Sequence, residues 1–230
     1  MNIDNNLKNK RIMKKELKVT RVDGSHVDSS QVHGLMDKYH VAWNEIGCNN
    51  WAESYPYQPS VAFRLAHNGK AILLEYEVKE ETVRAMADRD NGRPWEDSCC
   101  EFFLEPADDG LYYNIECNCR GALLVACGPG REGRVQAPLI LVDSIDRLSS
   151  LGEGKMEERP APKIWSLSLI LPKRLFFKHP GLSFEGLHAT GNFYKCGDKL
   201  SKPHFLSWNA IDTPSPDFHV PGAFGTLTFE

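Results

Sequence analysis

The chain has no run of residues long and apolar enough to cross a membrane as a helix. It also has no excess of basic charge. Lys and Arg number 27 against 31 Asp and Glu, a net charge of −4, which argues against a nucleic-acid partner, since phosphate backbones call for a cationic face. Its cysteines follow no zinc-finger or disulfide pattern. There are seven, so at least one stands outside any intramolecular pair. Cys99 and Cys100 are adjacent, Cys117 and Cys119 are two apart, and no paired C-x-x-C occurs. Free buried thiols in a reducing compartment are the expectation. Residues Met1 to Lys18 are rich in Lys and Asn and contain no apolar segment, so they do not form a secretory signal. Residues 1–17 read as a disordered tail, and Met13 before Lys14 and Lys15 is an alternative start. The expected location is cytoplasmic, with export left open if that start is misplaced. No membrane partner is expected, and the oligomeric state is not legible.

Helical periodicity is scarce, and no repeat or internal linker interrupts 18–230, which read as one domain. What the chain does have is period-two alternation. Val61, Phe63 and Leu65 oppose Arg64; Ile72, Leu74, Tyr76 and Val78 oppose Leu73, Glu75 and Glu77. Tyr113, Ile115 and Cys117 oppose Tyr112, Asn114, Glu116 and Asn118, while Trp165, Leu167, Leu169 and Leu171 oppose Ser166 and Ser168. A strand also fits Cys99 to Glu105, and Leu227 with Phe229 closes the chain. Such alternation marks half-buried strands. Between them lie Asn68-Gly69, Asp90-Asn91-Gly92, Asp108-Asp109-Gly110, Gly128-Pro129-Gly130 and Pro214-Ser215-Pro216, all turn chemistry. Many short strands with turns between them predict an all-β antiparallel sandwich with a few short helical turns. Helical turns are expected at Ser29–Tyr39, capped by Ser29 or Ser30, and at Glu80–Ala87. Leu148–Lys163 is expected to be a long exposed loop. With 41% apolar residues, the chain can build a full core.

Two segments carry candidate chemistry. Trp95 follows Gly92-Arg93-Pro94 and precedes Glu96-Asp97. An indole in a polar loop beside carboxylates offers a flat apolar face and hydrogen-bond acceptors, which a sugar ring needs; it would equally pin a loop. On the strand Tyr112–Asn118 the polar face holds Asn114, Glu116 and Asn118. Asn is depleted in strands, so two on one face call for a reason. They could read ligand hydroxyls, as an amide supplies both donor and acceptor, or pair with neighbouring loops.

The runs Trp95-Glu96-Asp97-Ser98, Glu101-Phe102-Phe103-Leu104 and Tyr112-Tyr113-Asn114-Ile115-Glu116 resemble the core of family 9 carbohydrate-binding modules, and more closely the stand-alone family 9-like proteins of gut Bacteroidetes. Asn192-Phe193-Tyr194-Lys195-Cys196-Gly197-Asp198, Pro203-His204-Phe205-Leu206-Ser207-Trp208, Pro216-Asp217-Phe218-His219 and Pro221-Gly222-Ala223-Phe224-Gly225 extend the similarity from about Lys18 to the end. The resemblance implies an immunoglobulin-like β-sandwich that binds a mono- or oligosaccharide without cutting it, in polysaccharide catabolism. Trp95 and Trp208 would be its aromatic walls. Glu101, Asn114 and Asn192 would be polar readers, and Glu116, Asn118 and Lys195 join them as candidate ligand-binding residues. Such modules also bind structural calcium. Asp88-Arg89-Asp90-Asn91-Gly92 lacks the acidic ligand and spacing of a known calcium loop, so no cofactor is assigned and calcium is left open.

Other chemistries compete. Glu101 and Glu105 lie roughly 13 Å apart along one strand, too far for either glycosidase geometry, whereas Glu101 with Glu116 from a neighbouring strand could approach it; a glycoside hydrolase, or an accessory of one, is therefore an alternative. Cys196 with His204 or His219 could form a nucleophile and base, and Cys117, Cys119 and Cys127 a zinc site, but both patterns are weak. A protein-interaction sandwich without a sugar ligand is the third alternative.

Overall fold

The computed structural model describes residues 13–24 and 26–230. Of the expected tail over 1–17, residues 1–12 lie outside the described residues; the first strand, Glu16–Arg21, takes in the last two residues of that tail. No helix among the described residues is long and apolar enough to cross a membrane.

The chain forms a β-sandwich. One sheet runs, in spatial order, Val135–Gln136, Leu123–Gly128, Tyr112–Asn118, Cys99–Glu105, His188–Cys196 and Gly225–Phe229. The other runs Ser60–His67, Ala71–Lys79, Trp165–Pro172 and Asp146–Ser149. Glu16–Arg21 joins both. Its first residues pair with Thr226–Phe229 and its last with Ala66–His67, parallel in each case; the other registered pairs between these strands are antiparallel. The Asn68-Gly69 turn links two of the longest strands, and Gly69 takes φ +76°, a conformation that glycine adopts without a Cβ clash.

Alternation is obeyed. Phe102, Tyr113, Ile115, Val125 and Phe193 of one sheet meet Phe63, Leu65, Leu74, Tyr76 and Leu167 of the other in the main core. Phe193 stacks between Phe63, at 3.5 Å between centroids, and Phe102, at 4.6 Å. Trp165, 1% exposed, belongs to the same core.

The first sheet is buried on its other face too. A second apolar cluster covers it: Phe103, Tyr112 and Tyr194 from the strands, with Trp51, Ile211, Phe218 and Phe224 from loops. The polar face of the Tyr112–Asn118 strand is therefore enclosed, not solvated, and all seven of its residues are buried. A short helix, Val32–Lys38, packs on the second sheet against Leu73 and Ile170.

Three local expectations change. Asp28, not Ser29 or Ser30, caps the helical turn Ser29–Gln31 that leads into that helix; its carboxylate accepts from Ser30 N while Gln31 reaches back to the Asp28 amide, a reciprocal capping box. Glu80–Ala87 is not helical. Thr82–Ala85 is a strand paired with Met156–Pro160, so five residues of the expected Leu148–Lys163 loop join a second small sheet, and its first two, Leu148 and Ser149, end the strand Asp146–Ser149.

Candidate functional site

The enclosed face leaves a cavity of about 510 Å³ beside the second apolar cluster. Its floor is set by sheet register. Glu101 pairs directly opposite Glu116, and Phe103 opposite Asn114, so both pairs project to the same side. Glu101, Asn114 and Glu116 are at most 4% exposed and all line the cavity, as does Trp95.

The polar groups are held in a chain. Asn114 Nδ2 donates to Glu116 Oε1 at 2.7 Å, and Asn114 Oδ1 accepts from Arg134 Nε at 2.9 Å and Nη2 at 2.7 Å. Arg134 also donates to the carbonyls of Gly130 and Tyr112, each at 2.9 Å, and its guanidinium lies 4.4 Å from the Tyr112 ring centre. The fork is thereby rigid, and the loop after Gly128 is drawn over the sheet edge. Glu116 Oε2 is left buried with no hydrogen-bond partner among the described residues, an expensive state for a polar atom unless something else fills its need. Burial pushes the Glu101 carboxyl well above the usual range, with the facing Glu116 adding to it. Burial raises Glu116 to about 7 against the pull of Asn114.

Trp95 stands on a single helical turn, Pro94–Glu96. Asp97 anchors that loop by accepting from Met86 N, Ala87 N (both 2.9 Å) and Asn118 Nδ2 (3.0 Å). The Trp95 carbonyl accepts from Asp198 N and from Cys196 Sγ–H. The indole is half-buried and lines the cavity. Asp198 keeps an edge open to solvent; crowding by protein around its carboxyl, and then Glu96, push it up to about 6. On the opposite flank Arg131 Nη2 donates to Asp217 Oδ1 at 2.9 Å, and His219 Nδ1 sits 2.8 Å from the Tyr112 hydroxyl.

Of the residues the sequence singled out, Trp95, Glu101, Asn114 and Glu116 come together at the cavity. Four do not. Trp208 is 2% exposed in the main core, edge-on to Phe63 and Phe193; alternation along Phe205–Ser207 sends Leu206 and Trp208 inward and leaves Phe205 to line the cavity. Lys195 falls on the core side of its strand opposite Cys100, fully buried, 3.0 Å from Glu80 Oε2 and 2.8 Å from His204 Nε2. Asn118 spends its amide on Ala87, Asp97, Arg120 and Ala122, and Asn192 locks the Asn209 segment. These are structural fixings. The suggested Cys–His dyad does not form: Cys196 donates to Glu101, His204 meets Lys195, and His219 meets Tyr112. Cys117, Cys119 and Cys127 sit in the main core. In the Asp88–Gly92 loop, Asp90 is held bidentate by Arg147 and Asp88 pairs with Lys155, so that donor set does not fit a calcium ion.

Sequence reasoning missed Arg131, Arg134, Asp217 and Phe218 as lining residues. Two arginines spaced three apart in a glycine-rich turn were the available signal.

A sandwich with one sheet enclosed on both faces, and a cavity on its outer side combining aromatic surface with fixed amide and carboxylate groups, is a small-ligand-binding module. The chain belongs to carbohydrate-binding family 9, whose sequence model matches residues 30–229. It is similar in structure to a candidate carbohydrate-binding protein from Bacteroides uniformis, with 45% identity, a TM-score of 0.91, and coverage of 95% of this chain and all of the other. Two structures of a family 9 module from Caldicellulosiruptor kristjanssonii share the fold. The cellotriose complex has 14% identity and a TM-score of 0.61 over 94% of each chain; the glucose complex has 17% and 0.56 over 94% and 96%. No curated protein matches the chain.

Proposed function

We propose that the cavity beside Trp95 binds one or a few sugar residues without cleaving them, in the service of polysaccharide breakdown. The observation that carries this is the pairing, in one cavity of about 510 Å³, of the half-buried Trp95 with the buried row Glu101, Asn114 and Glu116. An indole presents a flat face to the C–H groups of a pyranose, and the row offers fixed acceptors and an amide donor to its hydroxyls. The family membership supports the same ligand class, and the family 9 modules solved with glucose and cellotriose supply the first sugars to try. Affinity is expected to be modest, because few ligand atoms are engaged and water competes for every hydroxyl.

Tryptophan fluorescence titration with glucose, cellotriose and a wider set of mono- and oligosaccharides tests this. A saturable shift that disappears in Trp95→Ala is expected. A flat response to every sugar from well-folded protein would overturn the reading.

One observation favours a second reading. Glu101 and Glu116 are direct cross-strand partners, and such partners have Cβ atoms about 5 Å apart, near the carboxyl spacing of retaining glycosidases. Release of nitrophenol from aryl glycosides, abolished by Glu116→Gln, would support hydrolysis; no release above the buffer rate would remove it.

A further inference from the structure

We propose that Cys99, Glu101 and Cys196 form a binding site for a zinc-like divalent ion at the base of the cavity. Among the described residues, one ligand atom from each of the three lies within 4.8 Å of the other two, and all three side chains are buried. Sheet register makes the arrangement: Cys99 and Glu101 are two apart on one strand and share its outer face, and Cys196 stands directly opposite Cys99 on the next. Donors carried by regular strands are held more tightly than donors on loops.

The distances suit a small tetrahedral ion. Zn–S bonds of about 2.3 Å and Zn–O bonds of about 2.0–2.2 Å put ligand atoms roughly 3.5–3.8 Å from one another, so no pair has to close by more than about 1 Å, and the Cys196–Glu101 pair has to open slightly where Oε1 is the donor. Cys196 Sγ already lies 3.0 Å from Glu101 Oε1. That bond is the one hydrogen bond of the Glu101 carboxylate among the described residues; the two thiols also meet each other, Cys196 meets the Asp198 carboxyl, and both touch main-chain carbonyls, at 3.5 Å from Cys196 to Trp95 and 3.7 Å from Cys99 to Cys100. No strong partner has to be displaced.

Donor chemistry selects the ion. Two sulfurs and one carboxylate favour zinc over calcium or magnesium, which prefer all-oxygen shells. Three protein ligands leave one position of a tetrahedron unfilled, the arrangement of zinc sites that also hold a water or a ligand oxygen. Glu101 and Cys196 both line the cavity, so that position opens onto it. Binding forms two Zn–S bonds and one Zn–O bond; the two thiol protons, and the proton of the Glu101 carboxyl when it is held neutral, leave to solvent, and no electron transfer is involved.

The test uses the full chain, reduced and stripped of metal. Co(II) reports geometry, and Zn(II) in competition with a chromophoric chelator reports affinity. Wild type is expected to take up one ion per chain and to show thiolate-to-cobalt charge-transfer absorption with tetrahedral d–d bands. Cys99→Ser and Cys196→Ser should each weaken Zn(II) by at least a hundredfold, while Cys48→Ser, at a thiol outside the cluster, leaves it unchanged. Glu101→Gln retains both sulfurs; it should keep the charge-transfer band and lose affinity, which guards against cysteine variants that misfold. An octahedral cobalt spectrum without thiolate bands, or equal Zn(II) affinity in wild type and Glu101→Gln, would overturn the proposal. Both readouts are independent of sugar binding.

Discussion

Glu101 and Glu116 face each other across adjacent antiparallel strands, both buried, with Cys196 donating to one and Asn114 to the other. Two carboxyls side by side under apolar cover are costly to ionise together. The sheet tolerates them because each has one oxygen engaged by a fixed donor. The orphaned Oε2 of Glu116 is the group through which a ligand's hydroxyl would gain most.

The two tryptophans of the family signature should separate experimentally. Trp95→Ala removes a half-buried ring from the cavity wall and should weaken sugar binding by tenfold or more (about 1.4 kcal/mol) with little change in melting temperature. Trp208→Ala opens a hole beside Phe63 and Phe193 and should cost about 3–5 kcal/mol of stability, read by urea denaturation. If Trp208→Ala instead melts like wild type and loses binding, the core placement is wrong.

Arg134 ties a glycine-rich loop to the sheet through Asn114 and main-chain carbonyls. Arg134→Lys keeps the charge and loses the planar fork. The expected result is faster proteolytic nicking between Gly128 and Arg134, and sugar affinity reduced severalfold. Equal nicking rates would show that the fork does not hold the loop.

Lys195 should matter for stability and not for ligand contact. Its ammonium is buried against Glu80, which also accepts from Trp165 Nε1 at 2.8 Å. Lys195→Met strands the Glu80 carboxylate, at an expected cost of about 3–5 kcal/mol, and the double change with Glu80→Met should recover part of it. Chemical denaturation of the three variants provides the comparison; a double variant no better than Lys195→Met would count against the pairing.

His219 predicts a pH dependence with a definite sign. Burial, then Arg134 and Arg131, lower its pKa from 6.5 to about 4, with Asp217 opposing; the Tyr112 hydroxyl bonds the neutral ring. The unfolded chain therefore holds the extra proton between pH 6.5 and 4, so this contribution to stability is complete above about 6.5 and drains away as pH falls toward 4. Melting temperatures from pH 7.5 to 4.5 should fall less steeply in His219→Gln than in wild type. Parallel slopes would rule the residue out as a contributor.

How far the sequence could be read depended on whether a signal was local. Alternation in Ile72–Val78 and Trp165–Leu171 pointed to the sandwich, because a half-buried strand leaves a period-two trace. The same rule misled on the Tyr112–Asn118 strand. Alternation there implies a solvated face, and its Asn groups point to ligand hydroxyls or to neighbouring loops alike; loops from residues 211–224 close over it, and no local pattern reports such long-range cover. Trp95, Asn114 and Glu116 stand out locally, as an indole in a polar loop and as polar groups crowded on one strand face; the family resemblance adds Glu101. Lys195 and Trp208 belong to further runs of the same resemblance; only the parity of their positions along the chain, fixed by tertiary register, shows that they point inward. Arg134 was invisible because its partners are brought to it by strand pairing.

The strand Glu16–Arg21, laid parallel between Gly225–Phe229 and Ser60–His67, has a consequence for the order of assembly. During synthesis it is made well before the partner that secures its leading half, which lies about 210 residues further along the chain. Until then that edge of the first sheet is unsealed, and the two layers are joined there by only half a seam. Closure of the sandwich is thus a late, long-range event, of the kind that slows folding. Deleting Thr226–Phe229 should harm the molecule far from the cavity, by freeing the strand that bridges its two sheets.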